Sequence, residues 1–282
     1  CGAEAGQANK DYFPETLRIV TITEGISFIG ANGFRGCTSL EAINLPSGIV
    51  KLYNLAFSGT TASYRLTEPV MTYNVDGEKV AMQGHFGKGV EGEVVLAEGI
   101  TAIDSSAFSL CETLTSITIP DSIQKLESGA FYGCSLLKDI VIPEGITEIP
   151  DFLFSYCSNL NSIRIPDGVE EIGYCAFSET GLVEIVLPEG VRFIDGAAFY
   201  DSALTQITLP STLETIGDQA FMCCANLYEI CNNSDLQLSF GDETSLGGIA
   251  QYAKVIMDAE GNKTYRDGAE GFAFVDTPDG FR

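Results

Sequence analysis

The sequence predicts a repeat solenoid of mostly short β-strands, with turns, short helical segments and one inserted β-hairpin. Three observations predict it. A block of about 23 residues recurs through most of the 282-residue chain. Six blocks alternate apolar and polar residues up to a proline, and each of these carries an aromatic step at a fixed distance beyond that proline. The blocks are Leu17–Ser39, Leu40–Thr61, Glu91–Thr113, Leu114–Leu136, Leu137–Asn159, Leu160–Gly181, Leu182–Ala203 and Leu204–Asn226; a ninth starts at Leu227 and decays after Ile230. A fixed period of this size means that each block packs mainly on its two neighbours.

Within Leu114–Leu136, Ile117 and Ile119 alternate with Ser116 and Thr118, the period of a strand with one buried face. Pro120 follows, and with no N–H to donate it stops the ladder. Pro46, Pro143, Pro166, Pro188 and Pro210 fall in the same phase. An acid-plus-glycine turn comes next, as in Glu144-Gly145 and Asp167-Gly168, and then a second apolar pair three residues apart. The Ala-Phe step (Ala130-Phe131, Ala176-Phe177, Ala198-Phe199, Ala220-Phe221) fits one helical turn closing the coil. A lone block buries too little apolar surface to offset the ordering of its backbone, so only stacking makes it stable.

The shared pattern L-x-x-I-x-I-P-[DE]-G-[IV]-x-x-I-x-x-x-A-F resembles the BspA-like, or treponemal-type, leucine-rich repeats of surface proteins from anaerobic and host-associated microbes. The resemblance covers about two-thirds of the chain. It implies a curved, right-handed coil with short strands along one face, and a role in adhesion or binding of host protein. No catalytic motif comes with it.

Residues 62–90 interrupt the array. There Val70–Val75 and Lys79–Met82 flank Asp76-Gly77, which signals a hairpin. Near the C-terminus, Gly271–Val275 runs into Asp279-Gly280 and reads as half of another. The expected organisation is a spacer over 1–16, repeats one and two over 17–61, the hairpin over 62–90, repeats three to eight and the start of a ninth over 91–231, and a cap with a partial hairpin over 232–282. The native chain is expected to continue past Arg282.

A formal charge of −24 and a pI near 4.1 exclude nucleic acid, whose phosphates demand clustered Lys and Arg. They also disfavour anionic lipid headgroups. No apolar run approaches the ~20 residues that cross a bilayer. Cys1-Gly2 and the small polar run after it resemble the mature start of a bacterial lipoprotein, in which the first Cys carries the lipid, so Cys1 is the candidate attachment point. Membrane contact is expected only there.

Nine cysteines occur. Cys37, Cys111, Cys134, Cys157 and Cys224 each sit three residues after the repeat phenylalanine, and Thr180 and Ser202 replace them in two blocks. That column reads as buried free thiols rather than disulfides or zinc ligands. The single histidine, His85, reads as a loop residue. No P-loop, dinucleotide fingerprint or nucleophile elbow is present, and the acids fall in turns at repeat spacing. The chain is not expected to be an enzyme.

Two surfaces remain. The outward file of the strands reads Thr21, Asn44, Val95, Thr118, Val141, Arg164, Val186 and Thr208. Three valines around one arginine make a mixed patch suited to a partner; Val95, Thr118, Val141, Arg164, Val186 and Thr208 are the candidate contacts, with Arg164 at the centre. The second surface is the turn column Glu24, Glu98, Asp121, Glu144, Asp167 and Glu189, whose five members from Glu98 to Glu189 are a weak candidate for Ca²⁺; no other cofactor is expected. The reading is an extracellular or surface-anchored, monomeric, non-catalytic recognition module for a protein or glycan of a host or neighbouring cell. Its rival is a rigid acidic stalk that presents other domains and binds nothing.

Overall fold

The computed structural model describes residues 16–21, 28–29, 34, 37, 39–40, 42–44, 51–52, 72–75, 78–81, 92–96, 101–103, 105–241 and 245–266. Over these residues the chain forms a β-solenoid of about 7 turns with almost no helix. His85, Cys1 and the C-terminal half-hairpin at 271–280 lie outside the described residues.

The predicted strands form the front row. Ile19–Thr21 pairs in parallel with Ala42–Asn44. Gly92–Val95, Leu114–Thr118 and Asp139–Ile140 make one parallel sheet. Glu184–Val186, Gln206–Leu209 and Glu229–Asn232 make another. Each described proline of the repeat starts a turn, and all but Pro166 follow a front-row strand: the carbonyls of Pro120, Pro143, Pro166, Pro188 and Pro210 accept the amides of Ile123, Ile146, Val169, Val191 and Leu213 at 3.1–3.3 Å. An acid and a glycine occupy the middle of the turns after Pro143, Pro166 and Pro188; Asp121-Ser122 and Ser211-Thr212 stand there after Pro120 and Pro210.

A second strand row, which the spaced apolar pairs hide, follows each turn. Its members are two residues long: Ala102–Ile103 pairs with Lys125–Leu126, and Glu148–Ile149, Glu171–Ile172, Phe193–Ile194 and Thr215–Ile216 run on in parallel. The inserted hairpin, Thr72–Val75 against Glu78–Ala81, is part of this row. Val80 stands opposite Ala102 and Ala81 opposite Ile103, so the insertion supplies a rung to the sheet instead of looping away from it.

The Ala-Phe step is not a helical turn, contrary to the expectation. Hydrogen bonds of the i to i+3 kind, such as Cys134 N to Phe131 O at 3.2 Å, alternate with bonds to the next repeat, such as Phe131 N to Leu153 O at 3.1 Å. A helix would keep every such bond inside its own turn. The alternation is possible because two positions per repeat take positive φ, one before the Ala-Phe step and one two residues after the Phe. Gly129 and Gly133 fill them in one repeat; elsewhere they are Ser106 and Leu110, Phe152 and Tyr156, Cys175 and Glu179, Ala197 and Asp201, and Gln219 and Cys223.

The core lies between the two strand rows and this turn run. Its centre is a file of fully or almost fully buried rings, Phe108, Phe131, Phe154, Phe177, Phe199 and Phe221. Neighbouring rings are nearly parallel, with centroids between 5.0 and 5.6 Å apart. The repeat spacing thus sets a stack in which every ring covers the next. At the C-terminal end Val255–Asp258 adds a parallel strand and Lys263–Tyr265 an antiparallel one. Ile249, Ala250 and Ala253 are buried there, and Phe221 N donates to Gly247 O at 2.8 Å. These residues close the core at that end.

Candidate recognition face

The front row places the candidate contacts where the alternation requires. Val95 stands opposite Thr118 and Val186 opposite Thr208, while Thr21 stands opposite Asn44. Val95, Val141 and Val186 are 59%, 78% and 68% exposed; Thr118 is exposed and Thr208 half-buried. The flanking file is in register too, with Glu93 opposite Ser116 and Ser116 opposite Asp139.

Arg164 departs from the expected ladder. Residues 161–166 carry no strand, so the front row splits into a sheet ending at Asp139–Ile140 and one beginning at Glu184–Val186. Propensity accounts for the gap. Asn161–Arg164 holds one β-branched residue, Ile163, whereas Val183–Val186 and Thr205–Thr208 hold three each.

The gap joins the two candidate surfaces. The Arg164 guanidinium donates to the Glu144 carboxylate in the preceding turn, and it lies 3.4 Å from Asp167 in its own. All three side chains are exposed, so the pairs fix the arginine's direction more than they stabilise the fold. Glu189 accepts from the Ser211 amide at 3.0 Å and its hydroxyl at 2.7 Å. Asp121 is exposed, and Glu24 and Glu98 lie outside the described residues. Among the described residues no group of three or more His, Cys, Asp or Glu could hold a metal ion.

The second row carries an acidic patch that the sequence reading did not single out. Glu148 stands opposite Glu171. Partial burial, then Asp195, Glu148 and Asp151, push the Glu171 carboxyl above its ordinary value. Residue spacing alone would have shown it, had the second row been recognised.

The eight described cysteines are free. Three members of the column donate across repeats: Cys134 to Phe108 O at 3.1 Å, Cys157 to Phe131 O at 3.2 Å and Cys224 to Phe199 O at 3.0 Å. They are structural thiols, each tied to the carbonyl of a ladder phenylalanine.

Comparison with known proteins agrees with this geometry. The BspA type leucine rich repeat region matches in 6 copies over residues 9–74, 92–203 and 149–243. A leucine-rich repeat protein from Bacteroides ovatus is 28% identical, with a TM-score of 0.54 over 77% of this chain and 50% of that one. The T. pallidum leucine rich repeat protein is 29% identical, with a TM-score of 0.55 over 59% of this chain and 80% of that one. A leucine rich cell surface protein from Faecalibacterium prausnitzii, 23% identical, shares the fold with a TM-score of 0.53 over 84% of this chain and 63% of that one. The chain thus spans half the length of the Bacteroides protein. No curated protein matches it. The chain belongs to the BspA-type leucine-rich repeat family, whose repeat proteins are generally non-catalytic.

Proposed function

We propose that this BspA-type repeat chain is an extracellular or cell-surface recognition module that binds a protein or glycan through its front row. The observation that carries the reading is the face around Arg164. Strongly exposed valines flank an arginine that two carboxylates hold in place, and a preset apolar and charged array of this kind loses little entropy on binding. The likeness to a cell surface protein supports the location. Cys1 is the proposed lipid attachment point, which intact-mass analysis of the protein from its native membrane would test. Ca²⁺ on the turn column is not needed, because Arg164 and Ser211 already engage its described central members.

The test is charge reversal. Arg164→Glu should weaken a ligand captured from extracellular-matrix proteins and glycans at least tenfold, with the melting temperature unchanged. Affinity that survives the reversal would remove the site from this face. A stiff stalk is the second reading, and the unbroken ring stack favours it; it predicts no saturable ligand at all.

A further inference from the structure

Two consecutive repeats are one residue short, and the shortening makes a groove. Between the repeat cysteine and the next repeat's leucine stand two residues in Cys157-Ser158-Asn159-Leu160 and in Cys224-Ala225-Asn226-Leu227. Only one stands in Thr180-Gly181-Leu182 and in Ser202-Ala203-Leu204. The longer loops project on either side of the shorter ones. The depression between them is an open groove of about 410 Å³ lined by Ser158, Glu179, Gly181, Asp201, Ala203 and Asn226, among others. Gly181 sits so tightly under its neighbour that a Cβ there would come within 2.3 Å of Ser158 O. The floor is therefore fixed by close backbone contact.

We propose that this groove is a binding subsite for a neutral sugar unit. The proposal rests on the recognition reading but lies on the turn run, away from the front row. Two tyrosines border residues that line the groove: Tyr156 N donates to Ser178 O, beside Glu179, at 2.9 Å, and Glu179 N donates to Tyr200 O at 2.8 Å. Tyr156 is 44% exposed and packs edge-on against Tyr132, with centroids 5.3 Å apart. A ring packed at its edge is partly preset, and its electron-rich face suits the weakly positive C–H groups of a pyranose.

The polar lining matches the rest of a sugar. Glu179 and Asp201 are acceptors for hydroxyl donors, and O–H to carboxylate bonds are among the strong ones. Asn226 and Ser158 can donate or accept. No Lys, Arg or His lines the groove, and the chain's charge of −24 opposes an anionic ligand. The volume falls within the ~300–1,000 Å³ of small-molecule sites, and the open shape suits one unit of a longer glycan.

The experiment is titration of the whole chain with neutral glucose-, galactose-, mannose- and N-acetylglucosamine-based oligosaccharides, and with a sialylated oligosaccharide as the anionic probe. Asp201→Asn and Glu179→Gln keep side-chain size, so they should fold; circular dichroism melts check this. Saturable binding of a neutral probe, reduced at least tenfold by the double variant and by Tyr156→Ala but unchanged by Glu260→Gln in the exposed turn beyond Val255–Asp258, is the expected result. Absence of binding by every neutral probe, preference for the sialylated one, or indifference to the groove variants would overturn the proposal. If Arg164→Glu abolishes sugar binding and the groove variants do not, the groove falls while the front-row reading stands.

Discussion

The 23-residue repeats and the 22-residue repeats close the same core in two ways. In the longer ones a thiol reaches back: Cys134, Cys157 and Cys224 donate to the carbonyls of Phe108, Phe131 and Phe199 in the preceding repeat. In the shorter ones a hydroxyl takes the place of the thiol. Thr180 Oγ1 donates to Phe177 O of its own repeat at 2.8 Å, and Ser202 Oγ lies 3.3 Å from Cys224 Sγ. All of these side chains are buried. The ring stack passes through both kinds without a change of spacing, so the stack and not the closing group sets the repeat distance. What the lost residue alters is the surface, where it leaves the groove.

If the stack is the shared element, removing a ring should cost the same in either kind of repeat. Phe131→Ala in a longer repeat and Phe177→Ala in a shorter one should each lose about 3–5 kcal/mol in urea unfolding. A much smaller loss at Phe177 would mean that the shorter repeats are held by something else.

Alkaline pH should separate the two kinds. Burial pushes the Cys157 thiol from 9.0 up to about 12 and the Cys224 thiol up to about 11. In the fold these groups stay protonated where the unfolded chain ionises them. Their contribution is therefore intact below pH 9 and is lost as pH rises from 9 through 11 to 12. Near pH 10.5 the loss should be about 2 kcal/mol per thiol. Cys157→Thr with Cys224→Ser should flatten that alkaline limb in urea melts at pH 8 and 10.5, and equal slopes for variant and parent would refute the assignment.

The smallest effect concerns the positive-φ positions, which both kinds of repeat share. Gln219 is exposed at φ 60°, a conformation that glycine adopts without the Cβ strain of other residues. Gln219→Gly should raise stability by about 0.5–1 kcal/mol after the entropy of the freer unfolded chain is counted. A thermal melt that shifts down would show that the strain is relieved elsewhere.

Much of the fold was legible because repetition multiplies weak signals. One Ile-Thr-Ile-Pro segment says little, but the proline in six blocks fixed where the front strands end. The second row stayed hidden because a two-residue strand such as Lys125–Leu126 is too short for a period to register. The Ala-Phe step was misread as helical because its positive-φ positions are mostly not glycine, so Phe152 or Glu179 gave no sign of the turn. On the candidate face, the outward valines followed from alternation. The pairing of Arg164 with Glu144 did not, since it joins residues in different repeats through flexible side chains. The groove was present in the sequence as a one-residue difference in spacing, visible only once the neighbouring loops were seen to stand on either side of it.

The most direct test of recognition is binding of the soluble, folded chain to an array of extracellular-matrix proteins and glycans at physiological salt. The account predicts at least one saturable ligand whose affinity drops with Arg164→Glu or with the groove variants. Silence across the array, from a sample with an intact melting transition, would contradict it and leave the chain as a stalk.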